Sequence, residues 1–187
     1  MGKIVLASSS PRRADILKDY KLDIIPSPYV EKHTKADFSY AYVENLAYNK
    51  ALAVLPLLKE QAIVVGADTV VVLDKEILEK PKSREDAFLM LKKLSGRTHS
   101  VVTAIAMINS ETHENKINST TSYVTFNDLS DEQIWNYIDS YKPFDKAGSY
   151  GIQELPDGIL KQLDGDLENV IGISSKAFSD LLKKFSI

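Results

Sequence analysis

A run of serines followed by two arginines, near the start of the chain, is well suited to binding an anion. Residues 8–10 are serines that follow the apolar run 4–7, and Pro11 then precedes Arg12 and Arg13. This order predicts a strand, a polar loop and the N-terminus of a helix. Backbone N–H groups and guanidinium charges at such a junction favour phosphate. A surface helix with two solvated arginines fits these residues equally well.

A second candidate lies in the β-branched segment 62–73, which only residues 66–69 interrupt. The segment is typical of a strand that is covered on both faces. A carboxylate such as Asp68 must there be desolvated, paired or bound to a metal ion. The small residues before it let a ligand or another backbone come close. A turn or bulge with Asp68 in solvent is an equal alternative to a catalytic role.

Lys50 is the third candidate, and its position in a predicted helix makes it unusual. Asp37 can cap a helix that runs to about residue 58, with an apolar stripe that includes Val43 and Leu46. Lys50 follows these two residues by seven and four positions, so it shares the inward stripe. A lysine there either extends along its own stem to solvent, which is the commoner outcome, or meets an anion.

Glu31 is a weaker candidate, because a glutamate in a polar loop is usually just solvated. His33, in the same loop, is weaker still. Lys80 closes a predicted hairpin and would by itself be an ordinary exposed lysine. His99 has no partner at a spacing that suits a metal site, so a structural position and a position near the substrate are equally plausible.

The segment 142–153 is a long loop of small, charged and aromatic residues, a composition typical of a binding loop on a rigid scaffold. Gln153 at its end could read the amide edge of a nucleobase. Lys146 could meet a phosphate group. An ordinary surface loop is the alternative.

Helices and strands alternate along the chain and can position these side chains. Capping signals at Ser83 and Ser130 begin helices with clear apolar stripes, and a last helix begins at Ser174 or Ser175. Strands are predicted at these segments, with a hairpin turn at 74–75: residues 21–25, 62–73, 76–79, 101–108, 116–126 and 160–163.

The composition restricts the class of protein. With 187 residues, of which 44% are hydrophobic and 26% charged, the chain 1–187 should form a single domain or two tightly joined lobes. A net charge of −3 argues against broad binding to nucleic acid or an anionic membrane. The absence of cysteine excludes disulfides and thiolate catalysis. No signal peptide or membrane span is evident, so we expect the cytoplasm.

Five segments, taken together and in order, resemble the successive motifs of the Maf (septum formation inhibitor) family. They are residues 8–13 (SSSPRR), 66–71 (GADTVV), 80–81 (KP), 94–101 (LSGRTHSV) and 145–153 (DKAGSYGIQ). The resemblance covers nearly the whole chain. It implies a nucleoside triphosphate pyrophosphatase with the inosine-triphosphatase-like fold, a mixed, elongated α/β structure whose central cleft lies between two lobes. The last segment resembles the branch that cleaves dTTP and UTP.

The resemblance also implies roles for individual residues. Ser8, Arg12 and Arg13 would hold phosphate or nucleotide at the first loop. Asp68 would be the proton acceptor, and Glu31, Lys50 and Lys80 would line the phosphate and metal site. Arg12, Thr69 and Gln153 match positions that the family associates with substrate choice. Mg²⁺ or Mn²⁺ would be held mainly by substrate oxygens, with help from Glu31 and Asp68.

Two positions depart from the family pattern, and two other functions stay open. Val30 stands where the family often has an acid, which leaves fewer carboxylates for a metal ion. Glu79 replaces a glycine before Lys80, which alters the hairpin. A purine-type house-cleaning pyrophosphatase and a non-catalytic, nucleotide-sensing regulator of cell division are the alternatives. Homodimerisation is expected only from the family.

Overall fold

The computed structural model describes residues 2–31 and 37–185, and His33 therefore lies outside the described residues. The strands are β1 Lys3–Leu6, β2 Asp23–Ile24, β3 Ala62–Leu73, β4 Glu76–Leu78, β5 Thr98–Asn109, β6 Asn115–Phe126 and β7 Leu160–Asp164. The α-helices are α1 Pro11–Ile16, α2 Tyr40–Leu52, α3 Arg84–Leu94, α4 Asp131–Tyr141, α5 Leu167–Ile171 and α6 Ser175–Leu182. The expected α/β class is confirmed. No helix in these ranges is long and apolar enough to cross a membrane.

The strands form one mixed sheet in the order β2-β1-β3-β5-β6-β7, with β4 also paired to β3. On one side, β3 pairs with β5 from Ile63 to Val72. On its other side, β1 pairs with residues 62–65 and β4 with residues 71–73. Between β1 and β4, on this side only, residues 66–70 have no described strand beside them. A cleft opens at this gap.

Alternation along β3 sends successive side chains to opposite faces of the sheet. On one face, Ile63 and Val65 pack in a cluster with α6, and Val71 and Leu73 pack in a second cluster with α3 and α4. Thr69 lies between the two clusters on that face. On the opposite face, α2 covers β3, so the central strand is buried on both sides as its composition predicts.

Gly66 allows α2 to lie directly against β3. A Cβ atom at this position would be 2.1 Å from the carbonyl oxygen of Ala47 and 2.7 Å from the backbone nitrogen of Ala51. Neither backbone atom can move alone, so any side chain here would push the helix away from the sheet. The close approach brings Lys50, one residue before Ala51, over the strand.

The bounds of α2 differ from the prediction. The helix begins after Ser39, which has an extended backbone and whose Oγ atom accepts a hydrogen bond from the backbone N–H of Tyr42. Ser39 is therefore the cap, and Asp37 is not. It ends at Leu52 rather than near residue 58. A 3₁₀ turn at Leu55–Leu57 follows, with Pro56 in its first positions, and proline has no N–H to continue an α-helix.

Other elements agree more closely with the sequence. Ser83 and Ser130 cap α3 and α4, and Ser130 forms a complete capping box with Gln133. The 74–75 turn has positive φ angles at both residues, as a two-residue hairpin requires. The bulge considered at residues 66–69 is wrong, because β3 is one uninterrupted strand. Strand β2 is shorter than predicted, and the five-residue helix α5 was not predicted.

Candidate active site

The cleft at the gap in β3 has a volume of about 740 Å³. All of the predicted site residues line it: Ser8, Arg12, Arg13, Glu31, Lys50, Asp68, Thr69, Lys80, Lys146 and Gln153. They come from distant parts of the chain, and the fold brings them together. One reason is that the loop 7–10 and the first turn of α1 follow β1, loop 79–82 follows β4, and both strands stop at the gap.

Lys50, Asp68 and Glu31 form the charged centre of the cleft. Asp68 is buried, with only 7% of its surface exposed. The Nζ atom of Lys50 donates to Oδ1 of Asp68 and lies 2.6 Å from Oε1 of Glu31. Lys50 therefore meets anions, and its expected extension to solvent is wrong. Asp68 is not solvated, and Glu31 is only partly so.

Burial raises the pKa of Asp68 above its usual range. The positive charges of Lys50 and Arg13 oppose this shift, and the negative charge of Glu31 adds to it. A carboxylate that holds a proton more readily than a solvated one is better matched to proton transfer near neutral pH. The arrangement therefore suits Asp68 to act as a general base.

Arg13 ties together three segments around the cleft. Its Nε atom donates to the carbonyl oxygen of Gly172 at 2.9 Å, and its Nη2 atom donates to Oγ1 of Thr69 at 3.1 Å. Its Nη1 atom lies 3.4 Å from Oγ of Ser8. Burial lowers the pKa of Arg13. The alternative of a solvated arginine is wrong here, since the guanidinium braces the site.

Arg12 and Lys80 are the more accessible cations of the cleft. Arg12 is partly exposed, and its Nη1 atom lies 3.4 Å from a carboxylate oxygen of Asp145, a long and weak contact. Lys80 is exposed beside Pro81, in the position that β4 gives it. Both side chains can reach an anion in the cleft without losing a strong partner.

The loop at 142–154 forms one wall of the cleft, as its composition indicates. Lys146 in this loop is buried, and its Nζ atom lies 2.9 Å from Asp145 and 3.1 Å from Glu154. Two protein carboxylates thus already meet the charge that was expected to bind phosphate. Gln153 is exposed on the cleft wall and can present its amide to a ligand.

Tyr150 anchors this loop in the core. Its hydroxyl lies 2.6 Å from Nε2 of His99, and both rings make edge contacts with Phe126. Burial lowers the pKa of His99 to about 4, so the imidazole is neutral at physiological pH. Of the two positions considered for His99, the structural one is correct, because His99 does not line the cleft. At Glu79, the second departure from the family pattern, the backbone carbonyl oxygen accepts the backbone N–H of Gly148 and so helps to hold the same loop.

The donor set at the centre of the cleft fits a hard divalent cation. Glu31 and Asp68 converge on one cationic group, the ammonium of Lys50. Within residues 2–31 and 37–185, no group of three or more acidic or histidine side chains could hold a metal by itself. Mg²⁺ commonly binds through one or two carboxylates and completes its coordination with water and substrate phosphate. Two carboxylates in a cleft that residues 8–10 also line match that requirement.

Three residues of the site had no signal in the sequence. Gly172 contributes its carbonyl oxygen to Arg13, and it lines the cleft. Thr103 and Asn169 lie behind Thr69, where the hydroxyl of Thr103 is 2.9 Å from that of Thr69 and donates to the carbonyl oxygen of Asn169. A single hydroxyl in a strand and an amide in a short helix have no spacing that would mark them.

Several proteins are similar in sequence to this chain over nearly its whole length. A dTTP/UTP pyrophosphatase of Thermoanaerobacter sp. is 42% identical over 183 residues, which cover 97% of this chain and 96% of that protein. A dTTP/UTP pyrophosphatase of Thermosipho africanus is 43% identical, over 96% of this chain and 92% of its own. A crystal structure of a nucleoside-triphosphatase / dITP/XTP pyrophosphatase from Mycobacterium abscessus aligns with 97% of this chain and 93% of that one, at a TM-score of 0.49 and 15% identity.

The family model agrees with these relatives. The model described as Maf-like protein matches residues 3–185, and this range includes every residue placed around the cleft. The five sequence motifs and the full-length relatives therefore lead to one conclusion. The chain belongs to the Maf-like protein family.

Proposed function

We propose that this protein is a pyrophosphatase that hydrolyses dTTP and UTP to the nucleoside monophosphate and diphosphate. The observation that carries the proposal is the buried Asp68, which is paired with Lys50 and feels the positive charge of Arg13, in a cleft whose accessible rim carries Arg12 and Lys80. The names of the relatives support the same substrates. A buried base surrounded by cations suits attack on a phosphoanhydride, where positioning and charge supply most of the rate.

The phosphate chain would bind along the first loop. Oγ of Ser8 accepts hydrogen bonds from the backbone N–H of Ser10 and from Arg13, so its own proton is left for a phosphate oxygen. Arg12 and Lys80 would add positive charge to the same group. Lys146 would bind phosphate only by leaving Asp145 or Glu154, so we expect it mainly to hold its loop.

Asp68 would accept a proton from the attacking water. The water oxygen forms a bond to the α-phosphorus, the bond from that phosphorus to the bridging oxygen breaks, and diphosphate leaves. Lys50 would hold Asp68 in place and keep its carboxylate charged until the proton arrives. A divalent cation held by Glu31 and Asp68, when bound, supplies charge neutralisation at the phosphates.

Gln153 and Thr69 would determine which nucleobase the cleft accepts. Gln153 is exposed there, and Thr69 reaches the cleft from β3 between the two apolar clusters. Both side chains can make directional hydrogen bonds, and a site that depends on such bonds discriminates strongly between ligands. A cytoplasmic location, a requirement for Mg²⁺ or Mn²⁺ and formation of a homodimer remain predictions.

Product analysis with purified protein tests the proposal. Separate reactions with dTTP, UTP, ITP and 7-methyl-GTP, each with Mg²⁺ or Mn²⁺, should release diphosphate, not orthophosphate, from the first two. Asp68→Asn should lower the rate by about 10²-fold or more, because it removes the proton acceptor. Asp139→Asn is the matched control, since Asp139 is an exposed carboxylate paired with Arg84 away from the cleft.

Each other outcome would contradict the proposal in a specific way. Diphosphate from ITP alone would favour a purine-type pyrophosphatase. Binding of nucleotide without any diphosphate would favour a nucleotide-sensing regulator. An unchanged rate in Asp68→Asn would remove Asp68 from the mechanism.

A further inference from the structure

A row of buried polar groups separates the two apolar clusters behind the cleft. It consists of Thr69, Thr103, Asn169 and Ser122, on the face of the sheet that α5 covers. Thr103 is 1% exposed and Asn169 is fully buried. Only Thr69 reaches the cleft, so the other three cannot contact a ligand directly. Their hydrogen bonds nevertheless determine whether the hydroxyl of Thr69 can donate a hydrogen bond to a ligand or accept one from it.

The hydroxyl proton of Thr103 is committed to Asn169. Asn169 lies in the last turn of α5, where carbonyl oxygens lack a helical partner. The next available backbone N–H, that of Ile173, bonds to Glu168 instead. Oγ1 of Thr103 donates to the carbonyl oxygen of Asn169 at 2.9 Å. A buried carbonyl without this donor would be costly, so the direction of the bond is fixed.

The amide of Asn169 holds this carbonyl in place. Its Nδ2 atom donates to the carbonyl oxygen of Val101 on β5 and to Oγ of Ser122 on β6, both at 3.0 Å. Oγ of Ser122 in turn donates to the carbonyl oxygen of Asp166. Since β5 and β6 are adjacent strands of the sheet, α5 and its last turn have a rigid support.

The same proton count determines the state of Thr69. Thr103 has no second proton, so the 2.9 Å contact between the two hydroxyls requires Thr69 to donate and Thr103 to accept. The alternative acceptor for Thr69, the carbonyl oxygen of Gly172, is farther away at 3.3 Å and already accepts from Arg13. Arg13 also donates to Oγ1 of Thr69. The hydroxyl proton of Thr69 is therefore used within the protein, and one lone pair of its Oγ1 atom remains for a ligand.

This state is the opposite of that of Ser8, the other hydroxyl that Arg13 contacts in the cleft. Ser8 accepts two hydrogen bonds from the protein and has a proton to donate, which suits an anion. Thr69 donates to the protein and can only accept from a ligand. Arg13 donates to both hydroxyls, so the Ser8 side of its guanidinium suits phosphate oxygens and the Thr69 side suits an N–H or O–H donor.

We propose that Thr103 is a positioning residue for base selection, which fixes Thr69 as an acceptor for the imide N3–H of uracil or thymine. Cytosine has an unprotonated N3 at the same edge, so it would place an acceptor against an acceptor. The proposal rests on the pyrimidine triphosphatase activity proposed above. A sugar hydroxyl is another donor of a nucleotide, and the experiment separates the two sources.

The test compares kcat/KM for UTP and CTP in wild-type protein, Thr103→Val and Thr103→Ser. We expect wild type to prefer UTP by at least about tenfold. Thr103→Val leaves only the longer, 3.3 Å contact with the carbonyl oxygen of Gly172 for the proton of Thr69, so this hydroxyl can turn its proton to a ligand. The preference should then fall by about fivefold or more, the value of a typical hydrogen bond. Thr103→Ser keeps the hydroxyl and should restore it. The ratio is independent of the amount of folded protein, so a purely structural effect would not change it.

Four outcomes would overturn the proposal. The first is a wild-type protein that cleaves UTP and CTP equally, and the second is an unchanged ratio of kcat/KM for UTP and CTP in Thr103→Val. The third is loss of the preference for UTP in Thr103→Ser as well. The fourth is an equal change in kcat/KM for UTP and CTP that vanishes with a 2′,3′-dideoxy substrate. The last result would assign the contact to the sugar. If Thr103→Val does not fold, Thr69→Val removes the acceptor itself and must reduce the same ratio. A wild-type protein that cleaves no nucleotide would instead refute the proposed function.

Discussion

Replacing Lys50 with methionine should destabilise this protein much more than loss of an ordinary ion pair. Methionine keeps the volume of the side chain but removes the ammonium that contacts both Asp68 and Glu31. The side chains of Lys50 and Asp68 are only 16% and 9% exposed, so water cannot replace the lost partner well. The carboxylate of Asp68 would remain buried with Arg13 as its nearest positive charge.

The expected magnitude follows from that burial. Removing one partner of a buried pair costs about 3 kcal/mol in the free energy of unfolding, at the lower end of the usual range because Arg13 remains. An unfolding entropy of about 2.1 cal/mol/K per residue gives ~0.4 kcal/mol/K for a chain of this length, so Tm should fall by about 8 °C.

The destabilisation should depend on pH with a definite sign. Burial already raises the pKa of Asp68 in the folded state, and Lys50 opposes that shift. Without Lys50, the folded-state pKa rises further above that of the unfolded chain. The penalty is therefore largest above the raised pKa, where the carboxylate is charged, and it shrinks as the pH falls through that pKa and the group takes a proton.

Thermal melts at pH 8 and pH 5 measure this effect. Lys92→Met is the matched control, because the Nζ atom of Lys92 lies 2.6 Å from Asp131 but the two side chains are 50% and 64% exposed. It should change Tm by about 1 °C or less. The double variant with Asp68→Asn should recover much of the loss. Equal effects of Lys50→Met and Lys92→Met, or a Lys50→Met penalty that is the same at both pH values, would refute the reasoning.

Three further predictions address the scaffold and the base. Gly66→Ala places a Cβ 2.1 Å from the carbonyl oxygen of Ala47, so α2 must shift; denaturant unfolding should show a loss of about 2–3 kcal/mol, and wild-type stability would contradict the close approach. Ser130→Ala removes the cap of α4 and should cost about 1 kcal/mol in the same assay without changing kcat/KM, whereas a loss of activity would contradict it. The acid limb of the kcat/KM profile should lie above pH 3.8, because burial raises the pKa of Asp68; a limb at or below that value would contradict its role as base.

The sequence predicted the members of the site better than their contacts. Asp68 was identified because a carboxylate in a β-branched strand needs a partner, and Lys50 because a lysine shared an apolar stripe. That the two are partners depends on how closely α2 lies on β3. Gly66 sets this distance, and a glycine in a strand indicates a close approach without saying to what.

The polar row behind Thr69 could not be predicted for a related reason. Thr103 is one of several hydroxyl residues in the sheet, and its role comes from its hydrogen bond to the carbonyl oxygen of Asn169, which has no partner within α5. That helix has five residues, too few for an apolar period to appear. The end of α2 shows the opposite case, because Pro56 was visible in the sequence and marks where the helix cannot continue.

The gap beside β3 also bears on aggregation. Val65 directs its carbonyl oxygen to the backbone N–H of Ala7, and by alternation Ala67 and Thr69 direct their backbone groups to the same side. An unpaired strand edge of this kind can recruit a strand from another chain. Here the free edge spans five residues, about 16 Å, and β1 and β4 block it at both ends. A small ligand fits this opening, and an intruding polypeptide strand could not extend beyond it.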